Sequence, residues 1–549
     1  MVQKTDPLAE LLVEREGRLR SERATLEALW QDIARYLVPR KATFTEEISP
    51  GAQRTRNVLD STGPRALEMF ASFLHTLLNN PSVQWFKTCD YDLSPEDPND
   101  DVSVQKWFDE VDHRMMRRMA DEKVNIYAHL HEGYLDIGAF GTSVTFIDWP
   151  DTLRIRAYHL ADCVIDEDVY GFVDTVMRRS FLRSRQAEQR FPGVDLGSTV
   201  EKRKGDGTPT KFLHCVFPAA DAEYLEHLDQ RVLARLRAGD EYVSAWVNAE
   251  DKVVVEQSTY EDFPYSVPRW YRTRDDIYGR SPAMTVMPDV RMANRMMETI
   301  LRGAEKLVDP PLLVPDGGLL SPVRLFPGGL TMADGSGVEL KPLIPPGASR
   351  IEVGDGLLKD RQAAIRDGFF VPLFATPQGP VKTATQVLQE TDDRNRAVSP
   401  MLVRMQHEQF HRMLTRVFRL MYRHGEFPTP PAALTGKRVD VRYVSPLSAS
   451  QHQMEALGAM RITDAGAAWA AIDPSALDIF DPHEVMKTIY RGSGAPASIL
   501  RTPAAMRQVT MARNQANKSA QQQSELIPAV EAGAKVVTAQ AAATRASKA

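Results

Sequence analysis

Residues 282–308 read PAMTVMPDVRMANRMMETILRGAEKLV, and the 46 residues after them, 309–354, hold eight prolines and eight glycines. In the first stretch Val286, Val290, Ala293, Met297, Ile300, Ala304 and Leu307 recur at alternating steps of four and three, which predicts one helix with a narrow apolar seam. Asp289, Arg291, Arg295, Glu298, Arg302 and Glu305 occupy the rest of its surface. A seam this narrow suits a helical partner better than a broad domain core. Ordinary core packing and a ring of helices from several subunits both satisfy it. The proline and glycine density of 309–354 would by itself signal disorder. Apolar, strand-like pieces at 312–314, 319–326 and 338–343 point instead to a looped β subdomain.

Downstream, residues 355–369 carry a shorter helical pattern that runs into Val371, Pro372, Pro377, Gly379, Pro380 and Lys382, where the prolines demand a loop. A long helical pattern then opens at Thr383 or Thr385 and reaches His424, with a kink expected near 398–399 because Pro400 removes a helical hydrogen bond. An extended return follows at 438–444. A helical region at 451–511 is broken at Pro474, Pro482, Pro496 and Pro503. Residues 512–549 have no aromatics and many Ala and Gln, which fits a solvated helix or a mobile tail equally.

Upstream, Asp6-Pro7 is a helix start. It opens an amphipathic run ending before Pro39, with further helices expected from Pro64 to about Asn79, at 104–121 and at 126–138. From 142 to 271 the pattern changes to strands, at 142–149, 153–159, 173–182, 211–217, 242–248 and 252–257. The fold class is therefore α+β, and the length suggests three or four compact units or one large multi-part subunit.

Composition excludes more than it asserts. Hydrophobic residues at 43% and charged residues at 26% fit an ordinary globular chain, and no apolar run approaches the ~18 residues of a membrane span. Residues 1–10 hold one lysine and no apolar run, so no secretion signal is expected. Cys89, Cys163 and Cys215 lack metal-ligand spacing and read as buried thiols. Neither GxxxxGK[ST] nor GxSxG occurs, and Gly133, Gly138 and Gly141 lack dinucleotide spacing. His129 and His131 diverge on a helix, and Asp166-Glu167-Asp168 before Gly171 reads as an acidic turn between strands. No catalytic residue, cofactor or metal is expected. A net charge of −6 argues against tight static binding of nucleic acid. The seven arginines and four acids of 384–424 suit a solvated or subunit-pairing face as well as DNA.

Three blocks resemble the portal, or head-to-tail connector, family of short-tailed, podovirus-like bacteriophages. One is Trp30-x-x-Ile33-x-x-Tyr36-x-x-Pro39, followed by Asp60-Ser61-Thr62-Gly63-x-x-Ala66 and by Asn80-Pro81 with Trp85-Phe86. Another is Tyr278-Gly279-Arg280-Ser281-Pro282, and the third is Thr383-Ala384-Thr385-Gln386-Val387. The resemblance implies a portal fold in which 1–275 and 426–447 form the wing, 276–308 and 355–370 the stem helices and 309–354 the clip. It further implies a tunnel loop at 371–383, a long helix at 384–425, a crown at 448–511 and a C-terminal extension at 512–549.

By the same resemblance the chain forms a homododecameric ring at one capsid vertex, the head-tail junction of the virion, after assembly in the host cytoplasm. Double-stranded DNA passes through it, packaged by the terminase large subunit and later ejected. The major capsid protein, the scaffold and the head-tail adaptor and tail are its other partners. Gln378 and Lys382 are the expected polar contacts to DNA, and Val286, Val290, Met297 and Ile300 the expected oligomer seam. Another virion ring or ejection component, or an unrecognised phage enzyme, are the competing readings.

Overall fold

A computed structural model describes residues 6–47, 49, 51–81, 83–91, 102–274, 276–308, 312–313, 341–342, 351–374, 403–444, 446–470, 479–493, 499 and 505–519. Contacts divide the chain into two units, each assembled from separate segments. One comprises Met1–Trp85, Met116–His424 and Ser445–Leu447, the other Phe86–Met115, Gly425–Val444 and Ser448–Ala549.

The first unit is built on a five-stranded antiparallel meander: Cys163–Glu167, Val173–Leu182, Thr210–Pro218, Tyr242–Asn248 and Val253–Tyr260. Alternation along the strands sends Leu213, Cys215, Val243, Ala245 and Val247 to one face, where Leu8, Leu12 and Leu19 of the first helix cover them. Phe212 and Trp246 point the other way, onto Phe191 and Val200. A smaller sheet pairs Val144–Asp148 with both Arg154–Tyr158 and Tyr265–Ser266. Beside these sheets the helices Thr62–Leu78 and Ile126–Phe140 pack through Leu67 and Phe70 against Gly138.

The amphipathic run after Pro7 is two helices, Pro7–Glu22 and Ala24–Leu37, where the sequence suggested one. Arg23 makes the break. Its buried guanidinium donates to the carbonyl oxygens of Leu160, Ala161 and Cys163, and it is held by Glu27. Asp166 and Glu167, expected in a turn, instead end the strand Cys163–Glu167; the turn begins at Asp168. Charge is tolerated in that strand because Arg15 pairs with Asp166 and both Arg269 and Arg272 with Glu167. All three cysteines are buried and free, and burial pushes the Cys89 thiol up to about 11.

One further correction concerns a segment expected to be irregular. Val371 and Pro372 are not loop but part of a helical turn, Val371–Phe374. Phe370 sits at φ +59° and ends the preceding helix, and proline in a first turn sacrifices no hydrogen bond. The break expected at Pro482 is present: residues 479–481 are not helical, and Pro482 is the first residue of the helix Pro482–Ser493. The long helix expected to reach His424 contains a π-helical segment, Gln406–His411, before Arg412–Arg423. Its start and Pro400 lie outside the described residues, as do Pro474, Pro496 and Pro503.

In the second unit, Phe86–Asp90 pairs antiparallel with Val439–Tyr443, joining distant parts of the sequence. Val104, Trp107, Phe108 and Val111 of the helix Val102–Met119 are buried, and Trp107 Nε1 donates to the Pro428 carbonyl at 2.9 Å. Helices Pro446–Ala470 and Pro482–Ser493 approach closely enough that Gly492 lies against Ala456 and the His452 carbonyl. Helical structure also covers 505–519.

Asp112 accepts hydrogen bonds from the Thr88 amide at 2.9 Å and the Thr88 hydroxyl at 2.5 Å. Burial raises its carboxyl to about 7, against the partial lowering by the Thr88 bonds. A folded-state value above the unfolded one means that folding takes up a proton between about pH 4 and 7, so stability falls as pH rises through that window. Thermal melts of Asp112→Asn should show a smaller loss of stability between pH 5 and 7 than the parent. The parent should lose stability over the same range; equal slopes would contradict the assignment.

Candidate assembly site: a helical hairpin and its joint

The helix Pro282–Val308 matches its expected boundaries, whereas the helix expected at 355–369 begins four residues earlier, within the proline-rich insert, as Ile351–Gly368. The two run antiparallel. Gly368 lies against Val286, Gly354 lies 3.4 Å from Ile300 measured from an added Cβ, and Arg361 pairs with Asp289 at 3.0 Å. Leu358 and Ile365 are buried and continue the Gly354 and Gly368 row at steps of four and three, so each helix brings one seam to the other. Close approach depends on Gly368, where a side chain would collide with Val286; a Cβ at position 354 would only touch Ile300. Within the insert, Leu312–Leu313 pairs with Lys341–Pro342, two short strands consistent with the expected β character.

The proposed seam residues divide. Val286 and Val290 are buried by this chain's own residues, Val290 also approaching Gly63. Met297 and Ile300 are half-buried. Exposure lies on the flanks, where Met292, Leu301, Val353 and Leu357 are each about half exposed. By helical spacing from the seams, Met292, Val353 and Leu357 fall on one flank of the hairpin and Leu301 on the other.

Below the hairpin the distinctive sequence blocks meet. Trp30 lies 5.2 Å from Tyr278, centroid to centroid, and donates through Nε1 to the Phe140 carbonyl at 3.1 Å. Tyr278 OH accepts from the Ile165 amide at 3.1 Å. Gly279 donates to Thr142 Oγ1 at 2.8 Å, and Gly141, at φ +81°, ends the helix Ile126–Phe140. The two glycine backbones touch so closely that a Cβ on either would collide with the other. Ser281 closes the joint, its hydroxyl donating to Ala139 at 2.8 Å and accepting from the Met284 amide at 3.1 Å. On the opposite side Asn294 Oδ1 accepts from the Leu59 and Asp60 amides, at 2.8 and 3.1 Å. Asp60 accepts from Thr62 Oγ1 at 2.9 Å and Gln362 Nε2 at 3.1 Å, tying Asp60-Ser61-Thr62-Gly63 to both hairpin helices.

Pro377, Gln378, Gly379, Pro380 and Lys382 lie outside the described residues. The elements flanking them are firmly held. Before them, Phe369 and Phe370 pack on Phe70. After them, Glu408 receives the Arg269 amide and guanidinium, both at 2.8 Å, and Arg416 donates to the Ile147 carbonyl at 2.7 Å and Asp262 at 2.6 Å. Burial opposes the charge on Arg269, but Glu408 and then Glu167 outweigh it and hold the guanidinium above its ordinary value. The sequence reading missed this network and Asn294. A glycine directly between a helix and a strand was the available signal for Gly141.

Replacing Gly279 by alanine should cost about 3 kcal/mol, because both colliding partners are backbone. Urea denaturation measures this directly. A variant as stable as the parent would mean that the joint opens without loss.

A family model described as bacteriophage head to tail connecting protein matches residues 9–500. A protein of Bordetella phage BPP-1, named as a probable portal protein, is 28% identical over 86% of this chain and 85% of its own length. The portal protein of Salmonella phage epsilon15 is 25% identical over 89% of this chain and 88% of its own. Among solved structures, a chain of the virion of a native gene transfer agent particle covers 82% of this chain and 97% of its own length at 12% identity, with a TM-score of 0.34. The match across residues 9–500 establishes that this chain belongs to the bacteriophage head to tail connecting protein family.

Proposed function

We propose that the chain is the portal subunit of a phage virion, forming a dodecameric ring at one capsid vertex through which double-stranded DNA is packaged and ejected. Family membership over most of the chain carries the reading, and portal proteins among its relatives support it. Its role is mechanical rather than catalytic: the terminase large subunit docks on the ring during packaging, and the adaptor and tail replace it. The major capsid protein and scaffold surround it, and assembly takes place in the host cytoplasm.

In this reading 276–308 and 355–370 are the stem, 309–354 the clip, 371–383 the tunnel segment, which opens with the helical turn Val371–Phe374, and 384–425 the long helix. Residues 1–275 with 426–447 are the wing, 448–511 the crown and 512–549 its extension. The hairpin's two apolar flanks suit a cyclic ring, in which each subunit offers two different surfaces to its neighbours. Val286 and Val290 then stabilise the hairpin within a subunit, while Met292, Val353 and Leu357 of one copy meet the Leu301 flank of the next. A conduit must let a polyanion slide, and each neutralised phosphate adds affinity, so few cationic contacts are wanted. The net charge of −6 agrees with that requirement. Gln378 and Lys382 remain the proposed contacts to DNA, each repeated around the ring.

Leu357→Asp should leave a folded subunit, because the side chain is half exposed, but shift rings to monomers in native mass spectrometry. Rings at parental yield would remove the stem flank from the interface. Deleting residues 377–380 should reduce DNA-filled heads without loss of rings. An unchanged ratio of filled to empty heads would refute the tunnel-loop assignment.

A further inference from the structure

The helix that ends at Arg423 does not keep one pitch. Residues 403–405 and Arg412–Arg423 are α-helical, and Gln406–His411 between them is π-helical. A π turn closes its hydrogen bonds from i to i+5 and so uses about one residue more than an α turn. Counted back from Arg412, a regular α-helix would therefore bring Gln406 to the place now held by Met405. The two places differ: Met405 is fully buried, Gln406 only partly, and Val403 is 48% exposed.

Residues 403–423 contain neither proline nor glycine, the residues that most often break a helix from within. Contacts from outside hold the turn instead. The Arg412 amide donates to the Gln409 carbonyl, where a regular helix would offer Glu408. Ser266, fully buried in the small sheet, donates through its hydroxyl to the carbonyls of both Glu408 and Gln409, each at 3.2 Å. The Glu408 carboxylate accepts from the Arg269 amide and guanidinium, both at 2.8 Å. The turn is not fully satisfied: Gln409 Oε1 and Thr415 Oγ1 are buried with no hydrogen-bond partner among the described residues, which costs stability. After the turn, Arg412 donates to the Val173 carbonyl at 2.6 Å and Arg416 to that of Ile147 at 2.7 Å, so Arg412–Arg423 is fastened separately.

We propose that Gln406–His411 is a register switch, held in the π form by Ser266 and Arg269. Released from them, it relaxes to an α-helix and advances the residues before it by one position, while Arg412–Arg423 stays in place. Each residue ahead of the turn then rotates by about 100° and moves by about 1.5 Å along the axis. The use of the switch rests on the portal reading of the preceding subsection, in which residues 384–425 follow the tunnel segment. There it re-aims the part of the helix nearer that segment without disturbing the packed part.

Thiol labelling of the full-length chain with N-ethylmaleimide tests the switch, since Cys89, Cys163 and Cys215 are all buried. Met405→Cys, Gln406→Cys and, as a control beyond the turn, Val417→Cys are introduced singly. With Ser266 and Glu408 intact, position 406 should react and positions 405 and 417 should not. Adding Ser266→Ala with Glu408→Gln should invert the first pair, exposing position 405 and slowing position 406 about tenfold, with position 417 still protected. An unchanged order of 405 and 406 overturns the switch. So does labelling at 417, which would mean that the helix unfolds rather than changes register. Either result leaves the portal reading intact, because rings are scored separately.

Discussion

Two backbone segments touch at Gly141 and Gly279, and the direction of the helical hairpin depends on that contact. Gly141 can end its helix in the left-handed conformation without a side-chain penalty. Gly279 can approach its carbonyl only without a Cβ. Ser281 then fixes the first turn of Pro282–Val308 to the end of Ile126–Phe140, so a 27-residue helix, roughly 40 Å long, leaves the body from a defined point. Trp30 and Tyr278 pack beside the joint, while Asn294 and Asp60 brace the helix about three turns later. A small change at the joint would be magnified along that length.

Buried arginines provide the other fixed points. Arg23 ties the N-terminal helices to the carbonyls before the five-stranded sheet, Arg269 ties the turn at Gly171 to Glu408, and Arg416 ties the helix Arg412–Arg423 to the small sheet. Each is almost fully enclosed, so removing one carboxylate partner would strand a charge at a cost of about 3–5 kcal/mol. Their contribution is to orientation as much as to stability, since a guanidinium with several fixed acceptors tolerates little displacement. Glu408 lies in the π-helical segment, so the rearranged helix is anchored where its hydrogen-bond pattern changes.

What the sequence disclosed follows from the range over which each signal acts. Seam spacing is local, and it located Pro282–Val308 to the residue; the alternating strands Val173–Leu182 and Tyr242–Asn248 were equally plain. The division of Pro7–Leu37 at Arg23 was hidden because its cause is three carbonyls about 140 residues away. The pairing of Phe86–Asp90 with Val439–Tyr443 was hidden for the same reason. At the candidate site, the seam residues were recognised, but their spacing alone did not distinguish a partner helix of the same chain from one of a neighbour. Gly368 decides it for Val286 by admitting Ile351–Gly368 at close range, and Ile300 packs beside Gly354 of the same helix. The exposed flanks were missed because Met292, Leu301, Val353 and Leu357 lie off the regular seam spacing.

The resulting account is of a subunit whose interior fixes one long hairpin and whose surface keeps apolar residues on that hairpin's two sides. A hairpin satisfied along its seam and unsatisfied on its flanks is suited to closed repetition. Electron micrographs of the purified full-length chain test this most directly. The account predicts closed rings of one subunit type around an opening wide enough for a DNA duplex; a monodisperse monomer at high concentration, or open filaments, would contradict it.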